Sequence, residues 1–349
     1  MTRWSEVRAF LDQLRVMDPA VVETGLSPEG IREAWSAALD ALDDAALADA
    51  AAIPGRAFPR AVVVFTRTVA TAPIEWCAGL LGRGSAVTLK APVDAPGLAP
   101  LLAEAAAAVG LPLDVRTDRR AVDEADLVVA MGSDDTIAEI RGSLRPEVRF
   151  LAHGHRFSAA WVTGRGTGDA RVPEGFRDPW GAVAADLALH DGRGCLSPAV
   201  VLTPVALNEA CEAMAEALAR AAVRWPPGER SAGEGAAIRA RRALARVVGV
   251  VRGDVHGLPV SRLVPVALPR SVAVVHVADP VAAAAALTPW RRSLSTVGTD
   301  DLDTAPIWVD AGATRICALG RMQRPPMRRA HDGEDWVAAI VQAISVERP

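Results

Sequence analysis

Cys195 sits in the string HDGRGCLSP (190–198), after a helix expected over 179–189 and before a strand expected over 199–203. Its thiol therefore lies on a glycine-bearing loop at an element junction, where reactive groups are commonly presented. A thiolate there can attack a carbonyl, and the flanking glycines let that carbonyl approach the backbone N–H groups that must hold its oxyanion. Taken alone, a cysteine in such a loop is more often an incidental or buried thiol. The other three read as packing: Cys77 and Cys211 in helices, Cys317 in the apolar run ICAL. The four show no CxxC pair and no His/Cys spacing of a zinc site, so a reduced, cytoplasmic protein without a metal is expected.

Three further groups carry possible chemistry. Lys90 ends the apolar run SAVTLK at the carboxyl end of a strand, the edge where open parallel sheets bind ligands; otherwise it is a surface lysine on a turn. Gly132 and Ser133 follow the strand DLVVAM and open a helix. Unpaired N–H groups and a positive dipole end suit an anion there, unless Ser133 is only an N-cap. His153 and His155 in HGHRFS can carry a proton or lower the pKa of Cys195, or be histidines satisfied by local hydrogen bonds.

The elements that must position these residues follow from periodicity. Strands at 61–65, 85–89, 113–116, 126–131, 148–152 and 159–163 alternate with helices at 73–82, 96–109 and 134–143, the pattern of a parallel sheet covered on both faces. Residues 1–50 read as helices, with Ser27-Pro28 as a cap. Beyond the cysteine come a helix at 206–223, a loop at 225–235, strands at 263–267 and 272–277, and a helix at 280–287. At 349 residues two lobes are expected, since single cores seldom exceed roughly 250–300 residues. A net charge of −4 without a dense basic block argues against nucleic acid, and the absence of about 20 uninterrupted apolar residues argues against a membrane span.

HDGRGCLSP, together with GRGSAVTLKAP (82–92), ADLVVAMGSDDTIAEIR (125–141), HGHRFSAAWV (153–162), STVGTDD (295–301), RICALGRMQRPP (315–326) and HDG (331–333), resembles the acyl-CoA and acyl-protein thioester reductases of the bacterial luminescence type. These form a branch of the aldehyde dehydrogenase superfamily, and the resemblance runs over roughly 55–345. It implies an α/β, aldehyde dehydrogenase-like fold: an N-terminal helical region (1–55), a parallel-sheet cofactor domain (56–190), an α/β catalytic domain (191–315) and a C-terminal segment (316–349). It implies Cys195 as nucleophile, Lys90 on the cofactor ribose, Gly132 and Ser133 against its pyrophosphate, and Thr66 as a further cofactor contact. The implied substrate is an acyl thioester on CoA or acyl-carrier protein, and self-association into a homo-oligomer is implied as well.

Departures from the family pattern carry information. Val93 replaces the glutamate of NAD-preferring relatives, which tilts the reading to NADP, with NAD left open. HGHRFS has no acid where hydrolytic relatives activate water. The oxyanion asparagine is missing from FTRTVATAP (65–73), where Thr68 is the nearest polar substitute; the one Asn in the chain is Asn208. Two alternatives therefore stand beside acyl-thioester reduction: an aldehyde dehydrogenase releasing carboxylate, and a non-catalytic subunit that retains the fold.

Overall fold

The computed structural model describes residues 2–66, 69–165 and 172–344. The chain divides into two compact units, one of Met1–Thr24, Ala34–His155 and Pro326–Pro349, the other of Gly25–Glu33 and Arg156–Pro325. It begins with helices α1 (Trp4–Val16), α2 (Pro28–Asp40) and α3 (Asp44–Ala52). Val7, Phe10, Leu11 and Leu14 recur at helical spacing on α1 and are all buried. Ser27 caps α2, accepting from the Gly30 N–H at 3.1 Å.

After the short strand β1 (Arg56–Ala57), β2 (Arg60–Val64), α4 (Ala72–Arg83), β3 (Ala86–Lys90), α5 (Ala99–Ala108), β4 (Leu113–Arg116), β5 (Leu127–Met131), α6 (Asp134–Ser143) and β6 (Arg149–His153) alternate. The five strands β2–β6 pair in parallel in the order β4-β3-β2-β5-β6. Runs of Val, Leu and Ala are buried on both faces of the central strands, as a parallel sheet covered by crossover helices requires. The order reverses between β2 and β5, so their carboxyl ends flank a topological switch point, where such sheets bind ligands.

The second unit holds β7 (Phe157–Trp161), α7 (Pro179–Leu189), β8 (Pro198–Thr203), α8 (Leu207–Arg224), α9 (Ala232–Val248), β9 (Val250–Arg252), β10 (Val255–Gly257), β11 (Val272–His276), α10 (Pro280–Leu287), β12 (Leu294–Thr299), α11 (Ala305–Asp310) and β13 (Arg315–Ala318). Its seven strands run β13-β12-β7-β8-β11-β10-β9, parallel except for β9. The chain then returns to the first unit with the hairpin β14 (Ala330–His331) and β15 (Glu334–Asp335), helix α12 (Trp336–Ala339), and β16 (Val341–Gln342), which pairs with β1.

The structure departs from the sequence expectation in four places. The break falls at 155/156 and not near 190, because β7 hydrogen-bonds to β8 and β12. The N-terminal helices and residues 326–349 count with the first unit except for Gly25–Glu33, so neither terminal segment stands as a separate region. Residues 263–267 form no strand: Pro265 lacks a ladder donor, and Val264 and Val266 face solvent. The expected loop at 225–235 is cut short by α9, which Ser231 and Glu234 open with a capping box. No helix among the described residues is long and apolar enough to cross a membrane.

Candidate active site

Cys195 lies half-buried on the loop between α7 and β8. Three residues there hold positive φ: Asp191 at 56°, Gly192 at 72° and Gly194 at 89°. At Gly192 a Cβ would stand 2.7 Å from the Leu268 carbonyl oxygen, so only glycine fits both the space and the angle.

A buried ion pair fixes the loop's entry. Asp191, 2 % exposed on its side chain, accepts from Arg270 Nε at 2.5 Å and from the Gly228 N–H at 2.7 Å. Arg270 also donates through Nη2 to the carbonyls of Ala188 and Trp225.

Two serines fix the exit. Ser197 Oγ donates to the Arg193 carbonyl at 2.9 Å and accepts from Gln323 Nε2. Ser158 Oγ, at the start of β7, donates to the Cys195 carbonyl at 2.5 Å and accepts from the Thr296 N–H at 3.1 Å.

Gln323 belongs to RICALGRMQRPP, and Asp186 on α7 anchors that segment by accepting from the N–H groups of Gly320 at 2.7 Å, Met322 at 3.1 Å and Gln323 at 3.4 Å. Burial pushes the Asp186 carboxyl up to about 7 despite these donors. Two separate sequence motifs thus meet around Cys195. Asp186, Arg270, Gln323 and Ser158 were missed from sequence. The one signal for Asp186 is a single carboxylate in the otherwise apolar helix PWGAVAADLAL.

Of the remaining cysteines, Cys77 and Cys211 are buried and Cys317 is half-buried on β13. Burial raises the thiols of Cys77, Cys211 and Cys317, the latter two to about 11 each, which keeps them protonated at neutral pH.

In the first unit, the carboxyl edge of the sheet gathers several of the expected residues. Thr66 follows β2 and Gly132 follows β5; a Cβ placed on Gly132 would lie 4.0 Å from Thr66 Cγ2 and 3.5 Å from Thr136, filling the crevice between them. Ser133 caps α6, accepting from the Thr136 N–H at 3.2 Å. The Gly132 N–H donates to the His153 carbonyl at 3.1 Å. Lys90 ends β3, its Nζ 3.3 Å from the Ala91 carbonyl. A glycine-lined crevice at a switch point, with a helix N-terminus beside it, fits a dinucleotide. Asp134 and Asp135 in the first turn of α6 offset part of the dipole's pull on a phosphate, so the backbone N–H groups carry more of it. Val93 is 70 % exposed, and Thr68 lies outside the described residues.

His153 and His155 belong to this unit, Cys195 to the other. His155 is exposed, and its backbone N–H donates to Asp134 Oδ1 at 2.8 Å. His153 Nδ1 lies 2.9 Å from Asp332 Oδ2, and its ring stacks on His331 at 4.0 Å and 26°, with Trp76 alongside. Burial and the neighbouring His153 hold His331 well below the usual imidazole range. Ligand atoms of His153, His331 and Asp332 all lie within 4.8 Å, the one such trio among the described residues. Stacked rings hold their in-plane lone pairs in nearly parallel planes, unlike the converging arrangement of a tetrahedral ion. The geometry describes a histidine–carboxylate dyad backed by a neutral imidazole.

The family model for acyl-CoA reductase (LuxC) matches residues 114–341, which contain the Cys195 loop, the Asp186-anchored segment and the histidine cluster. The chain belongs to this family. Family membership places its chemistry among acyl and aldehyde oxidoreductions. None of the curated proteins matches the chain in sequence.

Among solved structures it is similar to an NAD-dependent benzaldehyde dehydrogenase from Corynebacterium glutamicum, with 13% identity, TM-score 0.67, and 96% of this chain and 82% of that one covered. An NADP-dependent glyceraldehyde-3-phosphate dehydrogenase from Bacillus halodurans, complexed with NADP, gives 12%, 0.70, 97% and 84%. Aldehyde dehydrogenase 21 from Physcomitrella patens gives 12%, 0.71, 97% and 84%. At these identities the likeness shows the fold, that of aldehyde dehydrogenases.

Proposed function

We propose that this member of the acyl-CoA reductase family reduces an acyl thioester, carried by CoA or acyl-carrier protein, to an aldehyde through an acyl group on Cys195. The observation that carries the reading is the loop itself: Cys195, half-buried as Cys317 also is, sits among three left-handed residues and is pinned on both sides by buried polar side chains, while the other three thiols are held protonated. Cys195 Sγ attacks the thioester carbon, the carbonyl electrons move to oxygen, and the carrier thiolate leaves and takes a proton. Thr66, Lys90, Gly132 and Ser133 would hold a nicotinamide cofactor, NADPH in preference to NADH because no carboxylate stands at Val93 to repel a 2′-phosphate. When bound, that cofactor supplies the hydride that turns acyl thioester into aldehyde. His153, oriented by Asp332, is the proton carrier of the scheme, and HGHRFS offers no carboxylate to activate water, so hydrolysis of the acyl-enzyme is suppressed.

A turnover assay with acyl-CoA, acyl-carrier protein and free aldehyde, each with NADPH or NADP⁺, tests the proposal. Thioester-dependent NADPH oxidation is the expected result. Carboxylate release from aldehyde, or no turnover with any substrate, would overturn it in favour of an oxidative enzyme or a non-catalytic subunit.

A further inference from the structure

An acyl transfer at Cys195 needs donors for the oxyanion, and the family's asparagine is absent from FTRTVATAP; Asn208 lies on α8. The loop supplies a donor from its own backbone. No peptide bond among the described residues is cis, so the C=O of Cys195 and the N–H of Leu196 point in opposite directions across one planar unit. Ser158 Oγ holds that carbonyl at 2.5 Å and is itself oriented by the Thr296 N–H, which fixes the hydroxyl as donor to Cys195. The Leu196 N–H therefore faces away from β7. It meets no acceptor among the described residues, and Leu196 is only half-buried. Two residues earlier the Arg193 carbonyl is held by Ser197 Oγ, which receives Gln323 Nε2, so the turn is braced on either side of the nucleophile.

We propose that the backbone N–H of Leu196 is an oxyanion donor for the thioester carbonyl, and that Ser158 is the positioning residue that aims it. The inference rests on the functional reading above, because it needs an acyl transfer to Cys195. In that step the Sγ–C bond forms, the carbonyl π pair moves to the oxygen that Leu196 N–H meets, and its return expels the carrier thiolate, which is then protonated. Without the Ser158 hydroxyl the 195–196 peptide is free to rotate and the N–H loses its aim.

Two reactions of the same thiol separate aiming from simple thiol placement. Acylation by an acyl-CoA passes through an oxyanion; alkylation by iodoacetamide is a displacement at saturated carbon and does not. Mass spectrometry of the intact chain gives both rates. For Ser158→Ala, acylation should slow by roughly a hundredfold, the order lost with one oxyanion donor, while alkylation stays within about twofold of wild type and Ser158→Thr, which keeps the hydroxyl, regains most of the acylation rate. Equal slowing of both reactions, or acylation unchanged, overturns the oxyanion role alone. A wild-type chain that is alkylated at Cys195 but takes no acyl group overturns the functional reading and this inference with it.

Discussion

Four cysteines of one chemistry are separated by their surroundings alone. Cys195→Ser should abolish the acyl adduct seen by intact-mass spectrometry while fold and cofactor binding persist. Cys77→Ala, Cys211→Ala and Cys317→Ala should keep turnover, since their thiols are packing groups raised by burial. Acyl-enzyme formed without reductant should persist for many turnover times, because no carboxylate stands in HGHRFS; rapid release of free acid would contradict this. Calorimetric titration should find NADPH bound more tightly than NADH, and equal affinities would remove the inference from Val93. At this scale the sequence singled out the Cys195 loop and missed what holds it. A cysteine just after two spaced glycines is visible in a string, but Ser158 and Gln323 reach the loop from positions 37 and 128 residues from Cys195 in numbering, Asp186 on α7 holds the segment that carries Gln323, and only the fold brings them together.

Among the elements, the parallel strands were legible because continuous runs such as AVVV and LVVAM have few other stable fates than a covered sheet. The α9 helix was not: its glycines and charges resemble a linker, and its clearest mark is the Ser231–Glu234 capping box, whose two ends satisfy each other's backbone donors. The segment at 263–267 misled in the other direction, since alternating valines suggest a strand even where proline leaves no ladder to join. The loop between α7 and β8 depends on Arg270, which precedes β11. Arg270→Ala should cost about 3 kcal/mol, the low end for a broken buried pair because Arg193 Nη1, 3.3 Å from Asp191, keeps part of the compensation, read from urea unfolding, whereas a change at an exposed pair such as Arg8 and Asp44 should cost little.

For the molecule as a whole, buried histidines set the acid limit. Burial lowers His190 and His256 to about 4 each and His331 well below its ordinary value. Their folded pKa values lie below the unfolded one, so the unfolded chain binds more protons as pH falls from about 6.5 toward 4, and stability declines across that window. At its steepest the loss is on the order of 1.4 kcal/mol per pH unit for each histidine. Thermal unfolding at pH 7, 6 and 5 should show this fall, and His256→Gln should flatten it by about one proton. Asp186 acts with the opposite sign: its raised pKa means that its share of stability is largest at low pH and declines as pH rises toward about 7, so the Asp186→Asn variant should lack that compensation.

The return of residues 326–349 to the first unit has a consequence for biosynthesis. On the ribosome the second unit, apart from Gly25–Glu33 already made, is a single continuous stretch that emerges before the first can close. Until residues 326–342 leave the exit tunnel, α4 lacks the Trp336 ring that packs 4.5 Å from Trp76 and the side chains of Trp336 and Ile340 that cover Gly79, and β1 lacks the strand that pairs with it. Ribosome-bound nascent chains stalled before residue 326 should therefore leave their amino-terminal portion open to protease. Release of the full chain should bring protection of that portion last, although it was translated first.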